Sequence, residues 1–225
     1  MDLTNFFRTE VKPALGCTEP GAAAYAAAVA ARLLRGKPLR LDMDLSLGMF
    51  KNGRDVGIPG GGGLRGTRLA AAMGALAGDP DKGLMALEGL PPKVAQEASL
   101  MLSSGAVHER VVEDVPAVYV GVVVQAEDGH AEAIISGRHD RIVRIVHNGT
   151  TLFEAETPKD AAPAMPEYLQ ELKEMHFAEL WELAGRIDEA TEKHLLEGAK
   201  MNMALARRGL EMGWGIGVGK SIAAH

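Results

Sequence analysis

From residue 41 to residue 47, apolar side chains fall at every second position: Leu41, Met43, Leu45 and Leu47 alternate with Asp42, Asp44 and Ser46. A period of two marks a strand with one buried and one solvated face, so a half-buried strand is expected here. The same period returns later. Residues 118–126 and 130–135 flank Asp128-Gly129, and residues 141–147 and 150–156 flank Asn148-Gly149. Asp-Gly and Asn-Gly tolerate the positive φ of two-residue hairpin turns, so two hairpins are expected.

Helical signals surround these strands. Residues 2–11 read as a short helix ended by Pro13 and Gly16, and Thr18 reads as the N-cap of a second helix that begins at Glu19-Pro20. That second helix, nearly all alanine and valine, is expected to be buried and to stop at Gly36 with Arg32 and Arg35 in its last turn. Residues 48–63 hold too many glycines for a regular element and read as a loop that leads into a helix over 64–77. A short turn of helix around Leu84–Leu87 and a helix opened by Pro91 and Pro92 and running to Ser104 complete the middle of the chain. Helical periodicity resumes at Pro166, with a long helix over 186–208, and the final residues, GLEMGWGIGVGKSIAAH, lose all periodicity. Strands clustered late, with helices before and after, predict an α+β fold with a mainly antiparallel sheet. The whole of 1–225 reads as one such domain, whose long helix and glycine-rich tail over 186–225 lead toward a further part.

Composition narrows the function. Of 225 residues, 47% are apolar but only 4% aromatic, which implies an aliphatic, alanine-rich core, and the net charge of -6 with no Lys/Arg cluster argues against a nucleic-acid partner. No apolar run reaches the roughly 18 residues of a membrane span and no secretory leader opens the chain, so a cytoplasmic protein is expected. Cys17 is the single cysteine, which rules out an internal disulfide and any closed iron–sulfur or zinc site built from this chain's thiols alone.

Three segments suggest chemistry. GCTEP, residues 16–20, sets the Cys17 thiol at a helix start, where free N–H groups and the macrodipole favour the thiolate, the form that metals take. In KNGRDVGIPGGGGLRG, Lys51 offers a cation, Asn52 an amide and Gly60, Gly61, Gly62 and Gly63 free backbone N–H groups, a set suited to a carboxylate. The spacing Gly61-x-Gly63-x-x-Gly66 imitates a dinucleotide fingerprint but lacks the preceding strand, and GWGIGVGKS imitates a P-loop with Trp214 in place of its first glycine.

Taken together, EVKPALGCTEPGAAAYAAA, MFKNGRDVGIPGGGGLRGTRLAAAMGALAGDP, ISGRHDRIVRIVHNG and NMALARRGLEMGWGIGVGKSI resemble, in order, the L-cysteine desulfidase family, which is related to the alpha chain of iron–sulfur L-serine dehydratases. The resemblance covers nearly all of this chain and about the first half of a family member. It implies a 4Fe-4S iron–sulfur cluster held by three cysteines, Cys17 matching the first and the others lying in a carboxy-terminal part or a partner chain beyond this sequence. It further implies a lyase that eliminates the β-substituent of L-cysteine or L-serine to give pyruvate and ammonia. On that reading Lys51, Asn52 and Gly60–Gly63 bind the carboxylate of the small amino-acid substrate, and Glu19 and His139 are the candidates for the base. The isolated chain is then expected to be inactive and is a candidate homo-oligomer. Two alternatives are a pyridoxal-phosphate lyase with Lys51 as the Schiff-base lysine, and a non-catalytic interaction domain that lends one cluster ligand to a partner.

Overall fold

The computed structural model describes residues 2–155, 167–212 and 217–224. The chain divides into two units: Ala14–Pro163, and Met1–Pro13 together with Ala164–His225. Each is described on its own.

In the larger unit the alternation read from the sequence becomes β1 (Arg40–Leu45), with Leu41, Met43 and Leu45 buried and Asp42 and Asp44 on the opposite face. β3 (Tyr119–Ala126) and β4 (Gly129–Ser136) form the first hairpin, β5 (Ile142–His147) and β6 (Thr150–Glu154) the second. Asn148, at φ 48°, and Gly149 make the second turn. Residue 156, where the sequence pattern would end β6, lies outside the described residues. A strand that the sequence pattern did not reveal, β2 (Val107–Val111), lies parallel to β1, and the sheet order is β2-β1-β3-β4-β5-β6. All other pairings are antiparallel, so the fold is α+β as expected.

Val120, Val122 and Val124 of β3 and Ala131, Ala133 and Ile135 of β4 continue the buried face set by β1. Each large aliphatic side chain buried there contributes about 1.5–3 kcal/mol. α2 (Thr18–Ala31) covers that face, packing on β3 and β4, and α4 (Thr67–Ala77) packs against α2 and reaches the sheet at β2. Alanines let these helices approach closely. A Cβ built on Gly74 of α4 would stand 2.2 Å from the Ala24 carbonyl oxygen, so only glycine fits at this crossing. The opposite face of the sheet is charged, with Asp44 held bidentately by Arg110 and Asp42 by Arg40.

Three local expectations are corrected. The N-cap of α2 is Cys17, with Thr18 as the first helical residue, and the helix ends at Ala31 with Arg32 as its C-cap, short of Gly36. Residues 48–53 are not loop but most of a helix, α3 (Leu47–Gly53): Ser46 caps it by accepting from the Met49 N–H, and Leu47 begins it instead of ending β1. The turn of helix expected at 84–87 is a 3-10 segment over Pro80–Met85. The helix expected from Pro92 is present as α5 (Pro92–Ser103).

The second unit holds α1 (Leu3–Glu10), α6 (Glu167–Glu174), α7 (Phe177–Ala184), α8 (Glu189–Met212) and α9 (Val218–Ala223). Asp188 accepts from the Thr191 N–H at 2.7 Å and from the Thr4 hydroxyl at 2.9 Å, joining the start of α8 to α1. His194 reaches the Val11 carbonyl at 2.8 Å, and Phe6 meets Tyr168 edge to face. Among the described residues of this unit, Thr191 alone is buried. Trp214 and its neighbours in the tail motif lie outside the described residues. No described helix is long and apolar enough to cross a membrane.

Candidate functional site

Gly16, at φ 120°, turns the chain into α2 and leaves the Cys17 side chain exposed at the helix N-cap, where it makes no capping bond to the backbone. The thiol instead donates to Glu19 Oε2 at 2.6 Å. Asn52 Nδ2, on the last turn of α3, donates to Glu19 Oε1 at 3.1 Å, so each carboxylate oxygen of Glu19 has its own donor. The β4–β5 connection carries His139 into the electrostatic field of Glu19. Cys17, Glu19, Asn52 and His139, four of the residues singled out in the sequence, therefore share one place although they span more than a hundred positions.

The electrostatics of the pair differ from the thiolate expected of a helix N-cap. Burial pushes the Cys17 thiol up from its ordinary value, and the hydrogen bond to the anionic Glu19 and its charge push it further up. Two backbone hydrogen bonds oppose this without reversing it. Cys17 is thus a thiol at neutral pH, with an acceptor for its proton already in contact. Burial alone would raise the Glu19 carboxyl. The hydrogen bonds from Cys17, its own N–H and Asn52, with the charge of His139, bring it net below the usual carboxylate range. Glu19 is ionised, and as acceptor and charge it adds to the burial that keeps the thiol protonated.

Behind the thiol lies a small apolar hollow lined by Leu15, Pro20, Val56, Ile58, Leu84 and Leu87. The glycine-rich segment reaches Cys17 through residues 56–59, not through its four glycines. Gly57 bridges to Arg65, the Ile58 N–H donates to the Leu64 carbonyl and the Gly66 N–H to that of Val56, which makes the segment a tight hairpin. Gly60, Gly62 and Gly63 take positive φ at its tip, and the Gly61 N–H is spent on the Ile58 carbonyl. Gly60, Gly61 and Gly62 rim a separate groove against Gln96 and Ser99 of α5. Lys51 is exposed on α3 beside Asn52 and makes no hydrogen bond or ion pair with the described residues.

Two residues of this neighbourhood escaped the sequence. Gly53 is buried where α3 ends, and the place its Cβ would occupy is 2.4 Å from Thr67 Oγ1 and 3.4 Å from Glu19 Cβ. A larger residue there would push on the stem of Glu19. Thr67, 1% exposed, holds a hydroxyl without a hydrogen-bond partner among the described residues. A glycine within a glycine-rich run and a threonine at a helix start give no sequence signal of this. Nor do the described residues gather three or more His, Cys, Asp or Glu side chains into one metal-binding group.

No family model matches the chain. Among curated proteins it is 52% identical to a UPF0597 protein of Nitratidesulfovibrio vulgaris (strain DP4), an alignment that takes in all of this chain and 55% of that relative. It is 36% identical to a UPF0597 protein of Geobacter sulfurreducens over 91% of this chain and 48% of the relative, and 35% identical to one of Yersinia enterocolitica over 95% and 48%. The chain spans about half the length of the curated relatives it matches. The name these relatives share states no activity. Its homologues are UPF0597 proteins, and the similarity to them runs through nine-tenths or more of this chain.

Proposed function

We propose that this chain supplies one thiol ligand and the adjoining proton acceptor of an iron–sulfur lyase acting on L-cysteine or L-serine. The observation that carries this reading is the exposed Cys17 thiol bonded to an ionised Glu19, itself held by Asn52. A thiol becomes a metal ligand only as the thiolate, so it must lose its proton on binding, and a carboxylate 2.6 Å away is placed to receive it.

The donor chemistry fits an iron–sulfur cluster in kind, since thiolate is the ligand such clusters take. Cys17 is one ligand only, and the rest come from outside this chain, in agreement with relatives about twice its length. When bound, the cluster supplies a Lewis-acidic iron. The chain's own residues do the rest. Glu19 takes the Cys17 proton, and Asn52 keeps its carboxylate turned toward the thiol. His139, beside Glu19, serves as the carrier for the proton removed from Cα. Lys51, exposed next to Asn52 and unspent in any ion pair among the described residues, binds the substrate carboxylate, while Gly60, Gly61 and Gly62 rim the groove against α5. In the elimination the Cα–H bond loses its proton and the Cβ–S or Cβ–O bond breaks. The leaving group departs protonated, and the aminoacrylate takes up water to give pyruvate and ammonia.

The test is anaerobic reconstitution followed by iron and sulfide analysis and an absorption spectrum, on this chain and on the chain extended to the length of its relatives. The visible absorption of a cluster is expected in the extended protein and not in its Cys17→Ser variant. A cluster of equal content in that variant, or an extended protein that degrades cysteine or serine without iron, overturns the reading.

A further inference from the structure

Beyond its first turns, where it meets α1, α8 carries a broad apolar face that the described residues leave open. At about 100° per residue, Gly198, Asn202, Ala206 and Gly209 fall in one line along the helix. Met201, Leu205 and Met212 flank that line on one side, Leu196, Met203 and Leu210 on the other, and all six are exposed, Leu205 by 61%. Lys193, Glu197, Lys200, Arg207, Arg208 and Glu211 lie on the opposite side of the helix, so the apolar face is a patterned surface and not scatter. α9 meets its edge, where Gly219 lies against Leu210.

The glycines say what kind of contact belongs there. Glycine inside a helix weakens it relative to alanine, and it persists where another backbone comes close. Gly74 of α4 is such a case, with the Ala24 carbonyl against it. Around Gly198 and Gly209 a Cβ would meet nothing within 4 Å. Nothing among the described residues requires them. A line of small residues between two rows of Met and Leu is the shape that admits an apolar helix at close range.

We propose that this face of α8 is the docking surface for the remaining polypeptide of the relatives, the part of their length that this chain does not match. Such a segment exists in each of them: the Nitratidesulfovibrio vulgaris relative is matched over only 55% of its length at 52% identity. It meets α8 as an apolar helix seated on the line Gly198, Asn202, Ala206, Gly209. This inference is independent of the lyase reading, because it concerns burial and not a cluster.

The test joins this chain, in one polypeptide, to the part of the Nitratidesulfovibrio vulgaris protein that it does not match, and compares methionine oxidation by dilute peroxide in the chimera and in the chain alone. Met43, Met49 and Met73, buried in the sheet unit, report that the fold is intact. Met201, Met203 and Met212 oxidise fast in the chain alone and about ten-fold more slowly in the chimera. Gly198→Leu, which raises helix propensity and so leaves the free chain folded, restores fast oxidation in the chimera. Three outcomes overturn the proposal: equal oxidation of the three residues in chain and chimera, protection that survives Gly198→Leu, or concentration-dependent protection in the chain alone, which would make a second copy the occupant.

Discussion

Cys17 and Glu19 form a pair in which each partner sets the protonation of the other, and the direction of both shifts yields a prediction. The thiol is raised first by burial and then by Glu19, as hydrogen-bond acceptor and as charge. Glu19→Gln removes the charge and leaves the burial, so the thiol returns toward its ordinary value only in part. The pH profile of Cys17 alkylation by iodoacetamide is expected to move to lower pH, with faster reaction at neutral pH; a profile that stays in place or moves up would show that Glu19 does not control the thiol. The folded-state lowering of Glu19 carries the opposite sense for stability. Its contribution is complete above the unfolded carboxylate pKa and is lost as pH falls through the lower folded value. At this scale the sequence named the right residue types but not their state. Helix position alone argued for a thiolate at Cys17, whereas burial first, and then the carboxylate two residues on, held by Asn52 from a different helix, raise the thiol against the backbone hydrogen bonds of the helix start.

Elements whose partners are close in sequence were legible, and those with distant partners were not. The alternation in β1 and the Asn148-Gly149 turn carry their own signals, and the structure has them in place; the first hairpin is also present, but it turns at Glu127-Asp128, with Gly129 already paired in β4. β2 is five residues long with only Val107 buried, and it gains its identity from parallel pairing with β1 across more than sixty residues. α3 was hidden by glycines at both ends, though Ser46 gave a capping signal. The α2–α4 crossing, which positions Cys17 at one end of α2, depends on Gly74 for a reason that no periodicity shows. Gly74→Ala would place a methyl 2.2 Å from the Ala24 oxygen and force the helices apart. The overpacking is expected to cost about 1–3 kcal/mol in urea unfolding, against the modest gain that Gly→Ala brings at an open helix position such as Gly198. An unchanged midpoint for Gly74→Ala would mean that the two helices do not meet as closely as this.

At the scale of the molecule, burial is distributed unevenly between the two units, and protection against hydrogen exchange should follow it. The sheet unit holds the buried face of β1, β3 and β4 with α2 upon it and α4 packed against α2. In the other unit only Thr191 is buried among the described residues, and the 24-residue α8 is tied to α1 near its start, through Asp188, Thr191 and His194. A helix with few buried contacts opens at little cost, since most helical stability in proteins comes from packing of the apolar face. In the chain alone, amides of α2, α4 and β3 should exchange slowly, at the rate set by global unfolding. Those of α8 beyond about residue 196 should exchange faster by orders of magnitude, through local opening. Mass spectrometry of peptic fragments separates the two classes, and uniform slow exchange along α8 would show that the helix is already held by contacts within this chain. The contrast also explains why the long helix was visible in the sequence while its surroundings were not: the 3.6-residue period is a property of the segment itself, but which face it buries, and against what, depends on residues outside the segment.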